Sequence, residues 1–95
     1  MTVRERMANL IHASGRTKGE IAKQAGISPS YLSRILSGDV GEIGGTMQAS
    51  LARAIGCSID AFYWQEAYER EIARLASERY KVHFFSRDEL TAVAS

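Results

Sequence analysis

Thr17–Gly38 (TKGEIAKQAGISPSYLSRILSG) punctuates itself twice within 22 residues, and that spacing restricts the fold more than any other feature of the chain. Thr17-Lys18-Gly19-Glu20 is a capping box, in which the hydroxyl accepts from the amide three residues on and the carboxylate reaches back. Gly26 stops the helix so opened. Ser28 followed by Pro29 is an N-cap with proline at the first helical position, where a missing N–H costs nothing. Gly38 stops the second helix. Two short helices joined by a tight turn and crossing steeply need particular residues at particular places. Ile21 and Ala25 face inward, Ala22 supplies the small residue at the crossing, and Gly26 supplies the positive φ of the turn. Ile27 plugs the corner, while Leu32 and Ile35, three apart, seat the second helix on the core.

The flanks read as further short helices. Thr2-Val3-Arg4-Glu5 is another capping box, followed by Val3, Met7, Leu10 and Ile11 on one helical face and a stop at Gly15. Asp39–Gly45 (DVGEIGG) is a glycine-rich loop. Thr46 is expected to cap a fourth helix, whose buried face is Met47, Leu51, Ala54 and Ile55 and whose end is Gly56. Ser58 is expected to cap the next, with Asp60 adding negative charge to its first turn. No break is visible between Asp60 and Arg79, where Glu66–Arg70, Glu71–Arg74 and Arg74–Glu78 support one long helix. The end reads two ways. Tyr80–Phe85 alternates as a strand does, whereas Ser86-Arg87-Asp88-Glu89 has the form of a capping box.

The chain has 95 residues, 45% of them apolar and 24% charged, which is the size and make-up of one soluble globular domain. No apolar stretch approaches the roughly 18–20 residues of a membrane span. The opening MTVRERMANLIHASG sets charges inside its apolar pattern, unlike a signal peptide. The lone Cys57 forms no intramolecular disulfide, suits a reducing cytoplasm, and reads as a small buried hydrophobe. A net charge of +1 says little about nucleic acid, but its distribution says more. Arg16, Lys18, Lys23 and Arg34 face only Glu20 between residues 16 and 34, so positive charge concentrates where a phosphate-facing surface needs it. His12 and His83 have no ligand-spaced partners, so no metal site is expected. No catalytic triad, phosphate-cradling loop or paired-carboxylate cleft can be assembled, so neither an enzyme nor a cofactor is expected.

The run TKGEIAKQAGISPSYLSRILSG, followed by LARAIGCSIDAFY, resembles the lambda-repressor-like (Cro/repressor, XRE) helix-turn-helix family over roughly Val3 to Trp64. The resemblance implies an all-α, five-helix DNA-binding domain over 1–65. A C-terminal extension over 66–95, helical or partly β, would serve dimerisation or partner binding. It also implies that the third helix lies in the major groove of double-stranded DNA. Pro29, Ser30, Tyr31, Ser33 and Arg34 are then the base-contacting candidates. Arg34 leads them, because a guanidinium bonds guanine O6 and N7 bidentately. Lys18, Ser28, Ser37, Gly45 and Thr46 are the phosphate-contacting candidates, by charge, hydroxyl or helix-terminal amide. Two departures stand out: the loop after the third helix holds Asp39 and Glu42 with no Lys or Arg, and Leu36 is apolar where relatives often carry charge.

The function implied is a cytoplasmic, bacterial or phage-encoded transcriptional regulator, a homodimeric repressor reading an inverted repeat. The alternative is an antitoxin-type protein whose C-terminal segment neutralises a partner toxin. Trp64, Tyr68, Ile72 and Leu75 recur at helical spacing and are the expected dimer interface. A strand at Tyr80–Phe85 pairing across the same two-fold is the other device open to the extension.

Overall fold

The computed structural model describes residues 1–94, with side chains described for residues 1–79. Six helices follow one another: α1 Val3–Ser14, α2 Lys18–Ala25, α3 Pro29–Ser37, α4 Gly45–Ile55, α5 Asp60–Tyr63 and α6 Gln65–Ala94. No strand occurs among the described residues. Both capping boxes form: Thr2 and Thr17 accept from the amides of Glu5 and Glu20, each at 3.1 Å, and both carboxylates bond back. Ser28 caps α3 by accepting from the Tyr31 amide, with Pro29 beginning the helix.

One apolar core joins these elements. Leu10, Ile21, Leu32, Leu51 and Phe62 are fully buried, one from each of α1 to α5, with Met7, Ile35 and Ile55 beside them. α2 packs on α3 and α4, and α1 packs on α3, α5 and α6. The same core continues past residue 65, because Tyr68 and Leu75 of α6 belong to it and Ile72 packs half-buried against it. Polar ties reinforce the α1–α6 contact. The Asn9 side-chain amide donates to the Tyr68 hydroxyl at 3.0 Å, and the Arg79 guanidinium donates to the His12 carbonyl at 3.1 Å.

Four expectations change. The helix expected to run unbroken from Asp60 to Arg79 breaks at Trp64, which is extended at φ −110°, ψ 126°. The break has a packing reason. α5 must bury Ala61 and Phe62, while α6 must run back along α1 to bury Ala67, Tyr68 and Leu75, and one straight rod cannot do both. α5 therefore closes the five-helix domain, and α6 is the helical extension that follows it. Thr46 does not cap α4, because the Gln48 amide already bonds the Gly44 carbonyl, starting the helix at Gly45 and placing Thr46 inside its first turn. Ser58 makes no side-chain cap, and its carbonyl accepts from the Ala61 amide instead. Finally, Tyr80–Phe85 is helical and Ser86 opens no new element, since α6 passes through both. Extending an established helix adds one hydrogen bond per residue fixed, which outweighs a short alternating pattern with no neighbouring strand.

Candidate nucleic-acid interface

The turn between α2 and α3 is made by Gly26 at φ 78°, ψ 28°, the left-handed region that disfavours a side chain. The Ile27 amide reaches back to the Ala22 carbonyl at 2.9 Å, which ties the start of α3 to the last turn of α2. α3 then divides cleanly by face. Leu32 and Ile35 are buried, and Tyr31 and Leu36 are half-buried against the core. Leu36 is thus a core contact. Pro29, Ser30, Ser33, Arg34 and Ser37 are exposed, and Ser30, Ser33, Arg34 and Ser37 share one face at i, i+3, i+4 and i+7.

That outward face has the chemistry of a base reader. The Arg34 guanidinium has no hydrogen-bond or ion-pair partner among the described residues, so its donors are available. Ser30 and Ser33 are exposed hydroxyls that donate or accept. The only carboxylate on α2 or α3 is Glu20, and it is engaged with Thr17. The Thr17 amide that donates to this carboxylate, with the Thr17 hydroxyl beside it, holds the carboxyl below the usual carboxylate value.

The phosphate candidates fare differently. Lys18 is exposed in the first turn of α2. Ser28 uses its oxygen as a cap acceptor, which leaves its O–H free to donate. Ser37 donates to the Arg34 carbonyl at 3.1 Å, so its hydroxyl must turn before it can meet a phosphate. Gly45 and Thr46 open α4, which has no side-chain cap, and their amides have no partner inside the helix.

Two arginines were not assigned their observed places from sequence. Arg16 was counted with the phosphate-facing charge. Its guanidinium is instead committed to the Ala54 carbonyl at 2.5 Å and to Gln24 at 3.0 Å, closing the end of α4 against α2. Arg4 lies across Gly38 where a Cβ would collide with it, and so brings a cation to the end of α3. This cation stands beside a loop whose own charges are the acidic Asp39 and Glu42. Neither placement leaves a sequence signal, because each depends on contacts between distant segments.

Residues 8–62 match the family model described as helix-turn-helix, a span that covers more than half of the chain and includes α2, α3 and their turn. The chain belongs to the helix-turn-helix family, of the lambda-repressor-like (XRE) type. Its coarse function follows: this helix-turn-helix protein is a DNA-binding transcription regulator. No curated protein and no solved structure matches the chain.

The expected dimer seam of the helix-turn-helix protein is divided by the fold. Tyr68 and Leu75 are in the protein's own core and Ile72 is half-buried on it, so only Trp64, 65% exposed, stands free. Tyr68, Ile72 and Leu75 repeat at helical spacing because they face the protein's own core. Cys57 is a poor nucleophile. Burial, with Glu71 nearby, pushes its thiol up to about 12. Among the described residues no cluster of His, Cys, Asp and Glu is arranged to hold a metal ion, and no helix is long and apolar enough to cross a membrane.

Proposed function

We propose that the protein is a sequence-specific regulator that binds an inverted repeat as a homodimer, with one α3 in each of two successive major grooves. The observation that carries this reading is the outward face of α3. Ser30, Ser33 and the unpaired Arg34 are presented together, while Leu32 and Ile35 hold the helix rigidly from behind. In the groove, Arg34 bonds guanine, and the two serines and Tyr31 with Pro29 fill the remaining base-edge contacts. Lys18, the Ser28 hydroxyl and the free amides of Gly45 and Thr46 grip phosphates and fix the register. A single module of this size touches one half-site, and two-fold pairing on half-sites about one helical turn apart adds the rest of the affinity.

Selection of bound duplexes from a random DNA pool tests the proposal. The expected product is a pair of inverted half-sites with a guanine at a fixed place in each. An unsymmetrical sequence, or no enrichment over the starting pool, contradicts it.

A further inference from the structure

Arg4, Arg16, Arg74 and Arg79 each lie against the end of a helix, and Arg4 differs from the rest. Arg16, Arg74 and Arg79 donate to the carbonyls of Ala54, Gly56 and His12. Arg4 is exposed, and its Nη1 fills the space that a Cβ on Gly38 would take at the end of α3. Yet it donates to no carbonyl and pairs with no carboxylate among the described residues. The end of α3 is closed without it. Gly38, at φ 89°, returns its amide to the Arg34 and Ile35 carbonyls, and the amides of Asp39 and Val40 both bond Arg34. The Glu5 carboxylate next to Arg4 is engaged with the Thr2 amide, and Asp39 and Glu42 stay beyond ion-pair reach. The guanidinium is therefore held in a fixed place with its donors unengaged.

We propose that Arg4 is a further DNA-binding residue, its guanidinium gripping a backbone phosphate at the edge of the major groove, beside the C-terminal end of α3. The inference rests on the reading above that α3 enters the groove, and adds to it a contact from outside the helix-turn-helix. Placement supports it. The Gly38 amide bonds the Arg34 carbonyl, so the Arg4 guanidinium stands about one helical turn beyond Arg34. The nine residues of α3 span about 13 Å, close to the roughly 12 Å width of the groove. With the N-terminal half of α3 against base edges, the far end stands where the groove meets its phosphate wall.

Charge supports it as well. The C-terminus of α3 is the negative end of its dipole, and Asp39 follows directly, so this end by itself repels phosphate. No Lys or Arg occurs between Arg34 and Arg53 to offset that repulsion. With Arg34 turned to the bases, the cation that remains at this end is the one α1 delivers across Gly38. A planar guanidinium also suits the task, because its paired N–H groups match two phosphate oxygens. Gly38 thus has two reasons to lack a side chain: its positive φ, and the passage of Arg4.

The test compares the full-length wild type with Arg4→Gln and Arg4→Lys, on the selected duplex and on random DNA, at several salt concentrations. Arg4→Gln should bind both DNAs more weakly by the same factor, about tenfold per half-site near 0.1 M salt, the scale of one phosphate contact. Its salt dependence should flatten by about one phosphate per subunit, while its preferred sequence and its urea midpoint stay those of the wild type. Arg4→Lys should recover most of the slope. Duplexes carrying a single uncharged methylphosphonate, moved along the half-site, then locate the contact: one position should weaken the wild type and leave Arg4→Gln unaffected. An unchanged salt slope in Arg4→Gln overturns the role of Arg4 and leaves the reading by α3 standing. So does a shifted base preference, an affinity lost only together with the urea midpoint, or a scan in which no position depends on Arg4. A wild type that prefers no sequence at all overturns both.

Discussion

Individual residues set the geometry of the helix-turn-helix through backbone conformation and hydrogen bonding rather than through bulk. Gly26 shows the first effect alone, since nothing lies within 4 Å of where its Cβ would be and only φ 78° resists a side chain. Gly26→Val should therefore destabilise the fold by more than about 1 kcal/mol, the usual scale of a β-branched residue forced into that region. A melting temperature equal to the wild type's would show that the turn does not need glycine. Glu20 shows the second effect. Its carboxylate accepts from the Thr17 amide and its folded-state value lies below the ordinary 4.5. A lowered value means the unfolded chain binds the proton more readily. The contribution is thus present above the ordinary carboxylate range and is lost as pH falls through the folded-state value. Glu20→Gln should flatten the loss of stability below about pH 5 relative to the wild type, read from urea midpoints at several pH values. An unchanged acid slope would show that the capping carboxylate is not linked to folding.

At the scale of elements, α6 packs through Tyr68, Ile72 and Leu75 into the same core as the helices before it. Three arginines close helix ends from a distance: Arg16 bonds Ala54 of α4, Arg74 bonds the Gly56 carbonyl at the α4 cap, and Arg79 bonds His12 of α1. Basic side chains at carbonyl-rich helix C-termini complement the dipole, and here two of them tie α6 to α4 and α1. Tyr68 and Leu75 are buried beneath them, each worth about 1.5–3 kcal/mol when removed from water. Truncation after Gln65 should therefore lower the urea midpoint sharply, by a stability loss of about 3 kcal/mol or more. A truncated domain with the wild-type midpoint would contradict the packing of α6. Much of this scale was legible in the sequence. α1 to α3, with their caps and buried faces, follow from local signals, since capping boxes, the Ser28-Pro29 start and glycine stops act within four residues. What failed was not local. The break at Trp64 arises because α5 and α6 bury different faces, and the Trp64–Leu75 stripe could not reveal whether its partner was α1 or another molecule. The exposed place of Arg34 on α3 was legible from its spacing, whereas the commitment of Arg16 to α4 and of Arg4 to Gly38 required the tertiary fold.

For the molecule as a whole, net charge is only +1 and the loop after α3 is acidic, so affinity for DNA must come from a few placed contacts. Lys18→Ala should weaken binding to all sequences alike and flatten the salt dependence by about one phosphate per subunit. If instead it alters the preferred sequence, Lys18 reads bases. Arg34 is assigned the opposite behaviour, and the contrast tests the central claim that α3 reads sequence in the major groove. The deciding measurement is the ratio of affinities for the selected site and for random DNA, compared between wild type and Arg34→Ala at one salt concentration. The variant should lose about 1–3 kcal/mol per half-site on the selected DNA, relax its preference at one base pair of each half-site, and bind random DNA nearly as before. An equal loss on both DNAs, with the ratio unchanged, would contradict the account.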